Sequence, residues 1–400
     1  MSKTTKRAIF ILVFSEFLVC LGMSLIFPVM PFLKNELHLS ATDMGIMSSL
    51  FAFAQFVSSP IIGHMSDKIG RRPVLIVGLG LFALSELLFA VTNYLAMFDL
   101  SRIIGGIAAG MFIPTAQALA ADITTHKQRA RVIGLLSASL SGGLILGPGV
   151  GGILAGISYK TPFYLAAILG LLAMLATLFF LPHYDAPQTH SPAKTNASGT
   201  DWRKVLGGPM IMLFLLILVS SFGLQSFESI YSIFVNEVFG FSLGDIALVL
   251  TLNGLISLVF QVVLFDRMVL FMGEIKLTRY AFLLSFVSIG WIMLAHSKWE
   301  VMVATLIVFT SFDLLRPAIT TLLTKQGTQN QGIINGLNLS LTSIGNIVGP
   351  LMAGSLLDIN YHIPYAVTVV ILAISWLLTY TVKLGKPRDY ANGPDTNKAR

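Results

Sequence analysis

The chain reads GHMSDKIGRRP at residues 63–73, between two apolar runs that are each long enough to cross a membrane. Its glycines permit a tight turn, and Asp67 can accept hydrogen bonds from helix-terminal amides or pair with an arginine. A plain basic loop would need neither the aspartate nor both glycines. The stretch therefore indicates two helices joined by a turn that does more than hold positive charge on one side.

Runs of the same kind fill the rest of the sequence. Of the 400 residues, 55% are apolar and only 11% are charged, whereas a soluble domain carries about 25% charged residues. Such a chain cannot cover its surface with water-compatible groups, which excludes a soluble enzyme and predicts an integral membrane protein. Because a membrane-spanning helix needs about 20 apolar residues, twelve runs are predicted as spans 1 to 12. They are Ala8–Met30, Met44–Ile62, Val74–Thr92, Ala96–Leu119, Val132–Ala155, Phe163–Leu181, Pro209–Val235, Ile246–Phe265, Tyr280–His296, Val301–Leu323, Ile333–Leu357 and Pro364–Val382.

The basic residues indicate how the spans are oriented. The formal net charge is +7, which taken alone could suggest nucleic-acid binding. With the N-terminus in the cytoplasm, however, only Lys34, Lys160 and Lys298 face outward. Arg102 and Arg316 lie inside spans, and the other Lys and Arg residues are cytoplasmic. This bias predicts that both termini are cytoplasmic. No segment gathers these charges beside aromatic stacking residues, so no nucleic acid is expected as a partner.

Residues 182–208 differ in composition from the spans. They are rich in Pro, Thr, Ser, His and Asn and lack an apolar period, which predicts a flexible cytoplasmic linker. The linker divides the chain into an N-terminal six-helix bundle, residues 1–181, and a C-terminal six-helix bundle, residues 209–384. A cytoplasmic tail, residues 385–400, follows.

The two predicted bundles resemble each other in sequence. FDLSR at residues 98–102 recurs as FDLLR at 312–316, and LGPG at 146–149 recurs loosely as VGPL at 348–351. Six crossings return the chain to the same side, so corresponding spans run in the same direction. Such a parallel repeat is typical of alternating-access carriers, in which two bundles rock about a site near the membrane midplane.

Ionisable side chains inside spans are costly and are therefore candidates for function. Asp313 and Arg316 are three residues apart on one helix, so they can form a fixed ion pair. Alternatively, Asp313 takes up a proton from one side and releases it to the other. Glu228 has no charged residue one turn away, and Gln225 lies on its face as a neutral hydrogen-bond partner. The full set is Glu16, Glu86, Arg102, Glu228, Asp313 and Arg316, with Asp99 near the outer end of span 4.

Several motifs carry a resemblance to a known family. The stretch at 63–73 closely resembles the signature loop GxxxDRxGRR of the major facilitator superfamily, with Lys68 in place of the usual arginine. GLILGPGVGG at 143–152 resembles the antiporter motif GxxxGPGxGG of its drug-exporting branch. FGLQSFESIYS at 222–232 and FDLLRPAIT at 312–320 resemble stretches of NorA/Bmr-type pumps. The chain is thus similar, over its whole length, to twelve-span drug:proton antiporters.

The resemblance implies an all-α major facilitator fold and assigns roles to particular residues. Proton coupling is expected from Glu228, Asp313, Arg316 and Arg102, and Glu16 joins them because a Gram-negative member of the superfamily has a glutamate at a similar offset. The gating motif is Gly63, Asp67, Gly70, Arg71 and Arg72. The antiporter motif is Gly143, Gly147, Pro148, Gly149, Gly151 and Gly152. The expected substrate-binding residues are Phe51, Gln55, Ile113, Leu140, Leu144, Gln225, Glu228, Phe309 and Asn338.

Structural alternatives stay open for several of these residues. The glycines of span 5 also suit close helix packing in lipid, and Arg102 could instead bridge to Asp99 or to backbone carbonyls. Glu16 could snorkel toward the cytoplasm, and Glu86 is interpreted as a structural pair or helix-contact residue. Leu144 stands where NorA-type pumps have a phenylalanine, which leaves the range of flat drugs open.

The sequence contains no convincing enzyme site. The histidines in its cytoplasmic loops lack metal-ligand spacing, and Cys20 has no base beside it. No GxxxxGK[ST] phosphate loop is present, so direct ATP hydrolysis is not the expected energy source. Neither a metal nor a cofactor is therefore expected, and the proton is the expected coupling ion.

The predicted function is proton-driven export of amphipathic, often cationic drugs of the quinolone and dye types by alternating access. The expected location is the bacterial inner (plasma) membrane, and the expected partners are small amphipathic molecules and the lipid bilayer, with the protein a monomer. An alternative is a proton-coupled exporter or flippase of an endogenous sugar, metabolite or glycolipid. A transport-incompetent receptor or scaffold would need neither Glu228 nor Asp313 and would usually carry a soluble effector domain.

Overall fold

The computed structural model describes residues 3–182, 209–326 and 331–382. Within these ranges every regular element is a helix, which confirms the predicted all-α architecture. The predicted linker, apart from Pro182, and the predicted tail lie outside the described residues. The boundaries of these two segments therefore stay predictions.

Each of the twelve predicted spans contains a helix. Among the described residues, eleven helices are long and apolar enough to cross a membrane, and the twelfth is a shorter apolar helix. Spans 1 to 6 are the helices Lys3–Ser24, Ala41–Ile69, Arg71–Val91, Leu95–Asp122, His126–Ala155 and Thr161–Phe180. Spans 7 to 12 are Pro209–Phe239, Leu243–Met272, Glu274–Leu294, Lys298–Gln326, Gln331–Leu357 and Ile363–Leu378.

Span 1 ends earlier than the sequence predicts. The prediction placed its end at Met30, but the helix stops at Ser24, and after a turn a short helix, Met30–Glu36, leads toward span 2. Pro28 and Pro31 explain the difference. Proline lacks the N–H group that a helix interior needs, and it disfavours helical geometry in the residue before it.

The second span of each half begins in the same way. Ser40 accepts a hydrogen bond from the Asp43 amide, and the Asp43 carboxylate accepts one from the Ser40 amide, which together form a capping box. Ser242 and Asp245 form the same capping box at the start of span 8. The two halves therefore share local structure in addition to the motifs repeated in the sequence.

The same spans also end alike. Gly70 (φ 95°, ψ 152°) separates span 2 from span 3, and Gly273 (φ 76°, ψ 158°) separates span 8 from span 9. Both φ values are positive, a conformation that glycine adopts readily because it has no Cβ atom. The turn expected from the stretch at 63–73 is therefore present, and the second half keeps its backbone geometry although it keeps little of its sequence.

The contacts between the two halves gather on one side of the membrane. We call the side on which span 1 begins and span 12 ends the terminal side, and the other the opposite side. Every described hydrogen bond or ion pair between the halves lies toward the opposite side, so the structure is closed there. These contacts join Lys34 to Glu237, Ala41 and Thr42 to Asp358, and Ser49 to Ile347.

Asp358, which follows span 11, caps the first turn of span 2 from the other half of the molecule. Its carboxylate accepts hydrogen bonds from the amides of Ala41 and Thr42, both at 2.8 Å, and from the Thr42 hydroxyl at 2.5 Å. A carboxylate at a helix N-terminus also interacts favourably with the helix dipole. The cap is thus a charged link between the halves.

The ionisation of Asp358 determines the pH range in which this cap is complete. Burial would raise the pKa of Asp358, but the hydrogen bonds from Thr42 and Ala41 outweigh burial and hold the pKa below its ordinary value. A carboxylate with a lowered pKa contributes its stabilisation above its ordinary pKa and loses it as the pH falls through the lowered value. The cap is therefore intact at neutral pH.

Replacing Asp358 with Asn should favour the state that is open on the opposite side. Asn keeps one acceptor oxygen but turns its NH2 group toward donors that the second carboxylate oxygen served. Loss of a typical hydrogen bond costs about 0.5–1.5 kcal/mol, which changes the ratio of closed to open molecules about two- to twelvefold. The measurement is the distance between spin labels at Glu36→Cys and Asn360→Cys in a Cys20→Ser background. This distance should lengthen in the Asp358→Asn protein.

Asp245→Asn provides the matched control for this experiment. Asp245 caps a helix on the same side of the membrane, but its hydrogen bonds and ion pair among the described residues join it to Ser242 and Lys298 of its own half. The Asp245→Asn protein should keep the wild-type distance. Equal distances in all three proteins would contradict the role of Asp358 in closure.

Candidate functional site

Arg71 of the gating motif is held by side chains of its own half. Its guanidinium lies 2.5 Å from Asp67 and 3.3 Å from Asp122, and it donates a hydrogen bond to the Ser66 hydroxyl at 2.5 Å. All these groups lie at the terminal side. The structure thus describes Arg71 engaged within the N-terminal half, in a state whose two halves meet on the opposite side.

Arg72 and Gly63 belong to the same gating motif. Arg72 donates to the carbonyl of Leu178, near the end of span 6, at 2.5 Å. A Cβ atom added at Gly63 would meet no atom within 4 Å, so this glycine is not required for packing in the present state. The position of Gly70 at the turn is the one place in the motif where the backbone itself requires glycine.

One face of span 5 packs closely on span 1. A Cβ atom added at Gly143, Gly147 or Gly151 would lie no more than 2.6 Å from an atom of residues 17–25. In the second half, a Cβ atom at Gly345 or Gly349 of span 11 would meet span 7 at 2.7 or 2.9 Å. Small residues allow such close approach of helices in a membrane. The glycines on these faces of spans 5 and 11 let the helices within each bundle pack closely.

Another face of the same helix meets the opposite bundle. A Cβ atom at Gly149 would lie 2.6 Å from the Thr251 hydroxyl of span 8, and one at Gly152 would lie 2.2 Å from Cβ of Ala247. Pro148 lies inside the helix beside these residues. The antiporter motif therefore combines packing within one half with closure against the other half.

Arg102 of span 4 pairs with Glu86 of span 3. Arg102 Nη2 lies 3.2 Å from Glu86 Oε1, and the side chains are only 4% and 1% exposed. The guanidinium carbon also lies 4.6 Å from the ring centroid of Phe89. Sequence analysis offered Asp99 or backbone carbonyls as structural partners of Arg102. The structure instead gives Glu86, the residue interpreted as half of a structural pair.

Two serines reinforce the contact between spans 3 and 4. The Ser85 hydroxyl donates to the Ser101 carbonyl at 2.8 Å, and the Ser101 hydroxyl donates to the Ser85 carbonyl at 2.9 Å. Arg102 thus lies in a buried, mutually bonded group of side chains. This setting favours a structural role, and the assignment of Arg102 to proton coupling stays a prediction.

Glu228 of span 7 is half-buried and has a neutral partner. Gln225 Nε2 donates to Glu228 Oε2 at 3.1 Å, as expected from their spacing on one helix face. Glu228 also lies close enough to Asp313 of span 10 for the two carboxylates to interact electrostatically. Two acids from different spans are therefore neighbours, which the sequence alone could not establish.

Asp313 makes a hydrogen bond that sequence analysis missed. It is half-buried, and its carboxylate accepts from the hydroxyl of Ser257 on span 8. The possible ion pair with Arg316 is not formed among the described residues, and Arg316 is exposed. A lone serine in an apolar span gives little sequence signal, because its partner lies 56 residues away along the chain.

Glu16 is the most completely enclosed acid of the set. It is 0% exposed, and neither carboxylate oxygen has a hydrogen-bond partner among the described residues. A snorkelling side chain would reach the interface, so this placement removes the snorkelling alternative for the present state. The cost of a charge at this position is uncompensated, which fits a group that binds a proton.

Phe309 is buried in this structure, and its expected role in substrate binding stays a prediction. It is 3% exposed and packs edge-on against Phe227 and Tyr231, with ring centroids 5.2 and 5.9 Å away. Apolar rings on neighbouring spans gain more by burying their edges against one another than by facing water. Phe309 is therefore part of the aromatic core of the C-terminal half.

The other expected substrate-binding residues remain accessible to different extents. Leu144 is 40% exposed. Asn338 is half-buried, and its Nδ2 donates to the Thr320 hydroxyl at 3.2 Å. The half-buried residues of this set also include Phe51, Gln55, Ile113, Leu140 and Gln225. Their grouping around one substrate stays a prediction.

The chemistry available at these positions is proton binding, charge and hydrogen bonding. In the part of the chain that the structure describes, no group of three or more His, Cys, Asp or Glu is placed to hold a metal ion. Cys20 is buried in span 1. The carboxylates of Glu16, Glu228 and Asp313 are thus the candidate reactive groups, and Arg316 supplies an accessible cation.

A methyl group at Gly152 should disturb closure without disturbing the N-terminal bundle. In Gly152→Ala protein the new carbon would clash with Ala247 of the other half, at a cost of about 1–3 kcal/mol. The spin-label distance across the opposite side should lengthen.

Gly143→Ala should instead lower the unfolding temperature, because it clashes with span 1. Gly134→Ala, whose Cβ meets nothing within 4 Å, should change neither quantity, and a wild-type distance in Gly152→Ala would refute the two-face interpretation.

Neutralising Glu86 should destabilise the protein strongly. Glu86→Gln leaves Arg102 as an uncompensated buried cation, at a cost of about 3–5 kcal/mol, so the temperature at which the detergent-solubilised protein aggregates should fall. The control is Glu274→Gln, which breaks an ion pair with the exposed Lys325 and should cost at most about 1 kcal/mol.

A double variant separates a structural role of Arg102 from a role in coupling. Glu86→Gln/Arg102→Gln removes both charges and should be more stable than Glu86→Gln alone. A double variant that folds but has lost proton dependence would support coupling by Arg102. Full proton dependence would remove Arg102 from the coupling residues, and a Glu86→Gln protein as stable as wild type would contradict the buried pair.

Comparison with known proteins gives a consistent family assignment. The sequence matches the profile described as Major Facilitator Superfamily over residues 12–338 and 213–399. It is 40% identical to Multidrug resistance protein 1 of Bacillus subtilis (strain 168) over 93% of this chain and 95% of that protein. It is 36% identical to the Quinolone resistance protein NorA of Staphylococcus aureus over 90% of this chain and 92% of that protein.

Solved structures show the same fold at lower sequence identity. A point mutant of the nucleoside transporter NupG superposes with a TM-score of 0.82 at 13% identity, over 94% of this chain and 100% of that chain. A bacterial homologue of the human lysosomal transporter Spinster, in an inward-facing and occupied conformation, gives 0.78 at 16% identity over 96% and 97%. With its repeated six-span halves and its gating and antiporter motifs, the chain belongs to the major facilitator superfamily.

Proposed function

We propose that this membrane protein exports amphipathic, often cationic small molecules, of the dye and quinolone types, in exchange for protons. The names of two relatives that match most of the chain refer to multidrug resistance and to quinolone resistance. Similarity at 40% and 36% identity over 93% and 90% of the chain supports the same general activity here.

The observation that carries the proposal is the pair of acids in the C-terminal bundle. Glu228 and Asp313 lie near the middle of their spans, and their described hydrogen bonds come from neutral groups, Gln225 and Ser257. An acid without a fixed cationic partner can gain or lose a proton without leaving a stranded charge behind. The two acids are therefore better suited to exchanging protons than to forming a fixed structural ion pair.

Protons and cationic substrates compete for the same carboxylates. An ionised Glu228 attracts a cation, whereas a protonated Glu228 is neutral and releases it. Because a charge inside the membrane is costly, a site occupied by either a proton or a cation is favoured over an empty ionised site. Exchange of one monovalent cation for one proton moves no net charge across the membrane.

Alternating access follows from the two bundles and their one-sided closure. With both termini in the cytoplasm, the closed opposite side is the outer side, and the structure represents the inward-facing state of the carrier. Release of Asp358 and separation of Gly152 from span 8 open the outer side, and the gating motif at Arg71 then secures the inner side. The proton is the coupling ion, no other cofactor is required, and the protein acts as a monomer in the bacterial plasma membrane.

Glu16 and Arg102 are secondary in this proposal. Glu16, enclosed in span 1 of the N-terminal half, supplies a further proton-binding acid. Arg102 contributes through its pair with Glu86, which holds spans 3 and 4 in register. Substrate specificity resides in the predicted lining that includes Gln55, Leu144 and Asn338.

Transport into everted vesicles should depend on a proton gradient and not on ATP. Uptake of a fluorescent cationic dye should proceed when an acid-inside gradient is imposed in the absence of ATP. A protonophore should abolish it, because only the gradient supplies energy. Vesicles without the protein are the control, and protein-dependent uptake that survives the protonophore would contradict antiport.

The same expression system distinguishes drugs from an endogenous substrate. A pump-deficient bacterial host that expresses the protein should tolerate compounds of at least two unrelated chemical classes. Tolerance to none of them, with the protein folded in the membrane, would contradict multidrug export and favour a dedicated exporter of a sugar, metabolite or glycolipid.

A further inference from the structure

Ser257 uses its hydroxyl differently from three other buried hydroxyls of the C-terminal bundle. Ser285, Thr310 and Ser311 each donate to the backbone carbonyl four residues earlier in their own helix, a common arrangement for such side chains. Ser257 is 5% exposed, yet it donates to the carboxylate of Asp313 on another span. Its single proton is thus committed to the coupling acid.

Asp313 has a competing partner within reach on its own helix. Arg316 follows three residues later, a spacing at which oppositely charged side chains can pair. No ion pair joins the two among the described residues, and Arg316 is exposed while Asp313 is only half-buried. The described bond of the Asp313 carboxylate runs to Ser257 instead. The Asp313 carboxylate therefore faces span 8.

Few charged residues lie near Asp313. Glu228 approaches from span 7, and Arg316 lies on the same helix. Spans 11 and 12 contain no charged residue, and the charges of span 9 lie near its terminal-side end. On span 8 the nearest charges are Asp266 and Arg267, which lie beyond a π-helical turn. Arg316 is thus the one cation near Asp313 in the described bundle.

The π-helical turn, Phe260–Leu264, begins three residues after Ser257. A π-helical turn has more residues than an α-helical one, so it changes the rotational phase of the helix across it, and such turns are frequent at functional sites. The phase change lets Ser257 face span 10 while the rest of span 8 keeps its own orientation toward Gly273. The local irregularity of span 8 therefore coincides with the contact to Asp313.

We propose that Ser257 is a positioning residue for Asp313, and that its hydroxyl holds the carboxylate on span 8 and away from Arg316. This inference rests on the proposed proton-coupled function. Asp313 held in this way is open to protonation, whereas Asp313 paired with Arg316 is fixed in its ionised form. Ser257 thereby determines whether the FDLLR stretch acts as a proton carrier or as a static ion pair.

The pH profile of drug-driven proton release by purified protein tests this proposal. Ser257→Ala frees Asp313 to pair with Arg316, and an opposite charge beside a carboxylate typically moves its titration by about one to three pH units toward acid. Loss of the hydroxyl bond acts in the opposite direction, because a hydrogen bond to a carboxylate favours its ionised form. The profile of Ser257→Ala should therefore move to lower pH, by less than that amount. Ser257→Thr keeps a hydroxyl at the same position and should retain the wild-type profile.

A matched serine-to-alanine substitution controls for general effects on the bundle. Ser285 is also fully buried in the C-terminal half, but its hydroxyl bonds only its own helix, so Ser285→Ala should leave the profile unchanged. An unchanged profile in Ser257→Ala, or one moved to higher pH, would overturn the proposal. Absence of drug-driven proton release from the wild-type protein would instead refute the proposed function itself.

Discussion

An ionised side chain inside a bilayer has almost no water to stabilise it, and this cost organises the whole molecule. Each charge within the spans must find a partner, bind a proton or reach an aqueous opening. Arg102 pairs with Glu86 and lies over the face of Phe89, inside the N-terminal half. The described hydrogen bonds to Glu228 and Asp313 come from neutral groups, so no fixed cation holds either acid in its ionised form. The partner of each charged side chain thus distinguishes residues that support the fold from residues proposed to exchange protons.

The duplicated FDLSR and FDLLR stretches show how one motif can serve both purposes. In span 4 the arginine is buried, and its guanidinium is matched by an acid from span 3. In span 10 the arginine is exposed, and the aspartate is bonded to a serine from span 8. The difference comes from the neighbouring spans, since span 3 offers Glu86 and span 8 offers Ser257. Two similar stretches therefore lie in different charged surroundings, and the proposed proton exchange is concentrated in the C-terminal bundle.

Features that depend on short stretches of chain were predictable from the sequence. Apolar length located all twelve spans, and the glycines indicated close helix packing at span 5 and a turn after span 2. Features that depend on which helices pack together were not predictable. The partner of Arg102, the bond from Ser257 and the burial of Phe309 all arise from contacts between different spans. The early end of span 1 is an exception, because Pro28 and Pro31 were local signals that outweighed the apolar run.

Proton release on drug binding tests most directly whether Glu228 and Asp313 exchange protons for substrate. The purified protein in detergent with a pH indicator should release protons when a cationic drug is added, and Glu228→Gln/Asp313→Asn protein should release none. Glu274→Gln, which removes an acid at the terminal-side end of span 9, should behave as wild type. Equal release from the wild-type and the double-variant proteins would contradict the role of both acids and direct attention to Glu16.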